Sequence, residues 1–315
     1  MLPLVVILGP TATGKTKIAV ELALRLEGEI ISGDSMQVYR YMDIGTAKIT
    51  AAETKGVPHH LLDIKDPGEP FSVAEFQSLA RAKIAEINAK GKLPFLVGGT
   101  GFYIQAVIDD AYEFTEQGEI EPYRQKLWQL AAEQGTEHLY ARLRQVDPEA
   151  ALKIHPHDQK RIIRALEYFH LTGQPISSKT KARYHSPYRL VMIGLTIPRE
   201  LLYRRIEQRV DAMIANGLLE EVKFLITQGY SPQLPALQGL GYRQLVDYLN
   251  GKDELAEAIN QIKKETRRFA KRQLTWFKRD PRIHWFNLEN METQLEQLLG
   301  EMIKLIDRNL KSDVE

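Results

Sequence analysis

Leu4-Val-Val-Ile-Leu-Gly-Pro-Thr-Ala-Thr-Gly-Lys-Thr16 is the stretch whose reading decides the fold. Five consecutive apolar residues that stop at a glycine read as a strand buried on both faces, the habit of a parallel sheet. The next eight residues, Gly9, Pro10, Thr11, Ala12, Thr13, Gly14, Lys15 and Thr16, match G-x-x-x-x-G-K-[ST] at every fixed position. Glycines let the backbone turn tightly, so that several N–H groups point at one anion. The helix that starts near Lys15 adds the positive end of its dipole. Lys15 supplies a full charge, and the Thr16 hydroxyl is the expected protein ligand for Mg²⁺. A di- or triphosphate is therefore expected at residues 9–16.

Working outward, the periodicity predicts a helix over 16–27 and a short strand over 29–32. It predicts a long helix over 71–90 with Ser72 as its cap, and another buried strand over 93–97 that ends in Gly98-Gly99-Thr100-Gly101. Alternation of this kind indicates an α/β domain with a parallel sheet. From about residue 115 to 187 the pattern becomes helical throughout, and strand character returns over 189–196. The expected architecture is α/β: a P-loop NTPase-like parallel sheet core formed by residues 1–114 and 188–315, carrying an all-helical insertion over 115–187. Helices are expected over 199–216, 218–228, 241–249 and 253–279, and a frayed end over 308–315.

The chain has 315 residues and a net charge of +1, but the charge is unevenly spread. Lys153 to Arg189 holds eight Lys/Arg against two acids, and Lys263 to Arg282 holds nine against two. Two basic segments on an acidic body point to a polyanion held at defined places. Solvated helix faces are the plainer alternative for either segment alone. There is no cysteine, which excludes disulfides, thiolate metal sites and thiol nucleophiles and fits a reducing cytoplasm. No apolar run approaches the roughly 18 residues that span a bilayer, so no membrane association is expected. Adjacent histidines do not share a helix face, so His59 and His60 read as structural and not as a metal pair.

Most loops of this type hold ATP or GTP, so a metabolite kinase is one reading of the residues. Such enzymes usually hold Mg²⁺ with an Asp at the end of a second buried strand. Here that strand ends in Gly98-Gly99-Thr100, and the nearest acid, Asp34, lies in Ser32-Gly-Asp-Ser-Met-Gln-Val-Tyr39. This raises the alternative that the bound diphosphate is a leaving group. A noncatalytic RNA-binding protein, or a prenyltransferase acting on free adenine nucleotides, also stays open at this point.

Beyond the phosphate loop and residues 34–39, a series of segments resembles the bacterial tRNA dimethylallyltransferases in order and spacing. They are Met42-Asp-Ile-Gly-Thr-Ala-Lys48, Pro58-His-His-Leu-Leu-Asp63, Leu96-Val-Gly-Gly-Thr-Gly-Phe-Tyr103, His155-Pro-His-Asp-Gln-Lys-Arg-Ile-Ile-Arg-Ala-Leu-Glu167, Arg205-Ile-Glu-Gln-Arg209, Gly239-Leu-Gly-Tyr-Arg243 and Thr266–Trp276. The resemblance implies dimethylallyl diphosphate as donor, Mg²⁺ as cofactor, and the adenosine beside the anticodon, position 37 of tRNA, as acceptor. It implies Asp34 as proton acceptor or anchor for the adenine amine, and Arg209 as a further cation on the diphosphate. Thr100 would approach the leaving oxygen or the incoming base.

The anticodon stem-loop would be held by Asp34, Ser35, Met36, Gln37 and Thr100 around the base. Gln159, Lys160, Arg161, Ile162, Ile163 and Arg164 in the insertion, Gly241, Tyr242 and Arg243, and Arg267, Lys271 and Arg272 in the late basic helix would hold the rest. Phe269, Leu274, Trp276 and Phe277 are expected in the core and not as stacking platforms. A cytoplasmic monomer is expected.

Overall fold

The computed structural model describes residues 1–110, 117–178 and 184–310. The chain forms two compact units, one of Met1–Asp110 with Tyr184–Glu315 and one of Ala111–Arg183. The expected junction at 114/115 lies outside the described residues. So do the basic positions Lys179, Lys181 and Arg183 and the last five residues, 311–315.

The larger unit opens with β1 (Leu2–Leu8), α1 (Lys15–Arg25), β2 (Gly28–Ser32), β3 (His59–His60), α2 (Val73–Ala89), β4 (Leu93–Gly98) and α3 (Gly101–Ile108). The smaller unit is helical: α4 (Gln117–Gln134), α5 (Thr136–Val146), α6 (Pro148–Lys153), α7 (Gln159–Thr172) and a short 3₁₀ turn. The larger unit resumes with β5 (Tyr188–Thr196), α8 (Arg199–Ala215), α9 (Leu218–Thr227), α10 (Tyr242–Leu249), α11 (Leu255–Phe277), β6 (Ile283–Asn287) and α12 (Met291–Leu310). This is the expected α/β core with a helical insertion.

The six strands lie in the order β3-β2-β4-β1-β5-β6, and every pairing is parallel. β1 is central, and its residues alternate between two cores as a strand must. Val5 and Ile7 pack with α1, α8 and α12, while Leu4, Val6 and Leu8 pack with α2 and α3. Because the strands are parallel, all their carboxyl ends reach one edge, where ligands of open α/β sheets bind. A third core joins α8–α11 to Val38, Tyr39 and Met42 and backs the wall of that edge.

Several elements depart from the expectations. Edge strands β3 and β6 and helices α3 and α12 had no reading of their own in the sequence. β3 is two residues long, and the burial pattern of β6 shows no regular alternation, so neither presents a period to detect. The carboxy-terminal helix is kinked at Gln294 but continues to Leu310, so residues 308–310 are not frayed: Leu299, Met302 and Ile306 anchor it on the sheet. Ser72 caps α2 as expected, accepting from the Glu75 amide at 3.2 Å. His59 and His60 are structural: His59 Nδ1 lies 2.8 Å from the Val57 carbonyl and His60 Nε2 lies 2.7 Å from Glu29. Phe277 is buried and Trp276 partly so, but Phe269 is exposed and lies on the cleft, which corrects its expected place in the core.

Among the described residues no helix is long and apolar enough to cross a membrane.

Candidate active site

A cleft of about 800 Å³ opens at the carboxyl edge of the sheet. Its floor is the phosphate loop. Gly9 and Gly14 hold φ of 149° and 94°, and Ala12 is also left-handed at 64°. Gly9 has a second reason to be glycine, since a Cβ there would lie 2.4 Å from the Leu195 carbonyl oxygen. Gly14 caps α1 with no side chain, so the first amides of that helix stay available to an anion. Thr11, Ala12, Gly14, Lys15 and Thr16 line the cleft. Gly9, Pro10 and Thr13 do not. Thr13 is fully buried and donates to the Pro10 carbonyl, so these three shape the loop.

Three charges converge above the loop. Lys15 arches back over it and donates from Nζ to the Pro10 carbonyl at 2.7 Å. Its surroundings strip water from the ammonium and Arg209 repels it, so its pKa falls to about 7, with Asp34 pulling the other way. Burial likewise lowers the pKa of Arg209, again opposed by Asp34. Two cations held together against a single carboxylate form a site short of negative charge, which a diphosphate would supply.

Asp34 sits in an Asx turn after β2. Its Oδ1 accepts from the Met36 amide at 2.9 Å, which fixes the side chain and leaves the carboxylate capacity for a second partner. Thr100 caps α3 in sequence but spends no side-chain bond on the helix. Its hydroxyl oxygen accepts from the Ser35 amide at 3.4 Å, so its proton remains for another acceptor. The two turns that carry Asp34 and Thr100 touch through their backbones: the Gly33 amide donates to the Val97 carbonyl at 2.7 Å, and a Cβ on Gly98 would lie 2.4 Å from the Gly33 oxygen.

The structure brings Asp34, Ser35, Met36, Gln37, Thr100, Arg209, Gly241 and Tyr242 to this one cleft with the phosphate loop. Their side chains differ in what they have left to offer. The Gln37 amide is engaged on both sides, accepting from Ser32 Oγ at 2.9 Å and donating to the Thr46 carbonyl at 3.1 Å. Tyr242 is buried, and its hydroxyl donates to Glu221 at 2.6 Å. Arg243, Lys271 and Arg272 are exposed outside the cleft lining. Arg267 is ion-paired with Glu207. In the helical unit, Lys160 and Arg161 are exposed, and Arg161 pairs with Asp158. Gln159 lies 3.4 Å from the Thr136 hydroxyl, and Arg164 pairs with Glu167, which Arg124 also holds. Ile162 and Ile163 are buried in that unit's core, so they support the helix and offer no surface.

Two residues that organise the cleft were not singled out in the sequence. Glu221 accepts from the amides of Asp43, Ile44 and Gly45 at 2.9, 2.7 and 3.1 Å as well as from Tyr242, and so pins the loop whose Gly45, Thr46 and Ala47 form a wall. It is one of two acids in the first turn of α9, a place where the helix dipole alone would account for a carboxylate. Gln273, on α11, receives the Thr11 amide and donates to the Gly99 carbonyl, each at 2.9 Å.

Mg²⁺ needs few protein ligands, because it keeps several waters and takes substrate phosphate oxygens. Among the described residues no group of three or more His, Asp or Glu is arranged to hold a metal by itself. The Thr16 hydroxyl, exposed at the start of α1 beside the loop amides, fits that mode of binding.

A glycine-rich loop between a central parallel strand and an uncapped helix, with cations and one carboxylate above it, defines an α/β enzyme of the P-loop type. The chain belongs to the IPP transferase family, whose model matches residues 37–280. It is 53% identical to a tRNA dimethylallyltransferase of Moorella thermoacetica, over 99% of this chain and 98% of that one. It is 54% identical to one of Geobacillus thermodenitrificans, over 92% and 91%. Among solved structures it is similar to the tRNA isopentenylpyrophosphate transferase of Bacillus halodurans, with a TM-score of 0.74 and 47% identity over the full length of both chains. It is also similar to a eukaryotic dimethylallyltransferase described as acting on tRNA, with a TM-score of 0.84 and 26% identity over 99% of this chain and 80% of that one.

Truncating the carboxylate that pins the 43–45 loop leaves three amides and a phenol without their acceptor. Glu221→Ala is expected to lower unfolding free energy by about 2–3 kcal/mol, measured by urea denaturation.

Proposed function

We propose that this enzyme transfers the dimethylallyl group of dimethylallyl diphosphate to the N6 amine of adenosine 37 in tRNA, giving N6-isopentenyladenosine and diphosphate. The observation that carries this reading is the cleft that brings an anion-binding loop, Lys15 and Arg209 together with the Asp34 carboxylate and the Thr100 hydroxyl. Family membership supplies the transferred group. The same cleft disfavours a kinase, since β4 ends in glycines and a threonine where a kinase of this type would place its metal-binding acid.

The chemistry follows from what each group can do. The amide-lined loop, Lys15 and Arg209 bind the diphosphate and stabilise the charge that grows on its oxygens as the allylic C–O bond breaks. When bound at Thr16, Mg²⁺ would add Lewis-acid stabilisation to that leaving group. The adenine amine is a weak nucleophile, because its lone pair is drawn into the ring. Asp34 orients it and accepts its proton as the new N–C bond forms. Thr100 donates its hydroxyl proton to the base or to the departing oxygen. An adenine in an anticodon loop must leave its stack to reach such a cleft, and Asp34, Ser35 and Met36 line its resting place. Lys160 and Arg161 of the helical unit, and Lys271 and Arg272 of α11, hold the RNA backbone. We place this reaction in the cytoplasm, with the enzyme acting as a monomer.

Incubation with labelled dimethylallyl diphosphate, Mg²⁺ and unmodified tRNA is expected to place the label at position 37, read by mass analysis of the digested tRNA. Label in AMP but not in tRNA, or ATP turnover with no label transferred, contradicts the reading. Asp34→Ala is expected to slow transfer by roughly 10²- to 10⁴-fold while leaving tRNA affinity, measured by filter binding, near its wild-type value. Lys160→Ala and Arg161→Ala are each expected to weaken tRNA binding and to flatten the slope of log affinity against log salt by about 0.7–0.9. An unchanged slope would move the RNA interface elsewhere.

A further inference from the structure

α11 presents two faces with different duties. Lys264, Arg268, Lys271 and Arg272 are exposed, while Ile262, Ala270, Gln273 and Phe277 are buried. Gln273 is the polar member of that buried face, and it is 7% exposed. Its carboxamide spans two loops that the sheet places side by side. Oε1 accepts from the Thr11 amide in the phosphate loop, and Nε2 donates to the Gly99 carbonyl at the end of β4.

The glycines beside Thr100 show how close this contact is. A Cβ on Gly99 would lie 2.3 Å from Gln273 Nε2, and a Cβ on Gly101 would lie 2.3 Å from the Trp276 ring. Residues 273 and 276 are neighbours on one helix face. Thr100 is therefore held from both sides by α11, and through Gln273 the same helix holds the phosphate loop. The direction of each bond dictates the residue type. A backbone N–H only donates and a backbone carbonyl only accepts, so the bridging group must accept on one side and donate on the other. Glutamine does both; an ionised glutamate cannot. The Thr11 amide is also committed to Gln273, so the diphosphate takes the amides that follow it in the loop.

We propose that Gln273 is a positioning residue for the transfer reaction: its carboxamide fixes the separation between the diphosphate loop and Thr100, so that leaving group and incoming base are held in one register. This rests on the function assigned above and adds to it a residue that acts through the backbone of the two loops it joins. The loop amides beyond Thr11 are untouched by its loss, so ground-state binding of diphosphate survives while alignment does not.

The test is Gln273→Glu, assayed for prenyl transfer to tRNA alongside wild type from pH 5.5 to 8. At pH 8 the carboxylate accepts from Thr11 but repels the Gly99 oxygen. The expected result is a kcat roughly ten- to a hundredfold below wild type, with affinity for inorganic diphosphate, measured by calorimetry, within about threefold of wild type. Protonation of the buried carboxyl restores a donor towards Gly99, so the ratio of variant to wild-type kcat rises as pH falls. Gln273→Met keeps the length and removes both bonds. It is expected to lose kcat by a similar factor at every pH, with no recovery in acid.

A merely structural role predicts lowered thermal midpoints with wild-type kcat per folded molecule and no pH-dependent recovery, and that outcome overturns the proposal. So does wild-type kcat in Gln273→Met. Failure of wild type itself to prenylate tRNA overturns instead the reaction assigned above.

Discussion

The molecule is organised around one constraint: a row of backbone amides must stay unpaired and face a highly charged anion. Everything near residues 9–16 serves that requirement. A strand buried on both faces ends abruptly at Gly9, which alone can pass beneath the Leu195 carbonyl. Thr13 and Lys15 both bond the Pro10 carbonyl, which folds the loop upon itself. α1 begins with a glycine cap and carries no acid in its first turn, so neither its cap nor its first turn competes for its positive end.

The same constraint explains how the rest of the site is arranged. An amide cradle binds any diphosphate, so the chemistry must be set by what stands opposite. Parallel pairing brings the end of β4 beside β1 and the end of β2 beside β4, and with them Thr100 and Asp34. Their turns meet through glycine backbones with no room for side chains between them. α8 contributes Arg209 from a buried row that includes Ile206 and Val210, which holds the guanidinium near Lys15 despite the repulsion between them. Such crowding of like charges is costly without an anion and favourable with one. The helical unit has a core of its own, built from residues such as Leu139, Leu143, Ile162 and Leu166.

How much of this was legible in the sequence follows from how local each signal is. The central strand and the phosphate loop announce themselves over residues 4–16 and α1 directly after them, because buried strand, turn and helix each have a distinct pattern there. The helical insertion was legible from its uniform period. Asp34, Thr100 and Arg209 were legible only through resemblance; by spacing alone each is an ordinary turn or surface residue. Glu221 and Gln273 act across 176 and 262 residues of chain, on backbone atoms that have no identity in the sequence. Gln273 nonetheless left a trace: an uncharged polar residue on the apolar stripe of a basic helix must find partners inside the protein. Phe269, on that same helix, was misplaced because an apolar residue at helical spacing reads the same whether it faces a core or a ligand cleft.

The most direct measurement of the central claim is a crystal structure with Mg²⁺ and an unreactive thiolo analogue of dimethylallyl diphosphate. The account predicts the diphosphate oxygens within hydrogen-bond distance of the amides after Thr11, of Lys15 and of Arg209, with the five-carbon chain directed towards Asp34 and Thr100. Diphosphate bound outside the loop, or the carbon chain directed away from Asp34, would contradict it.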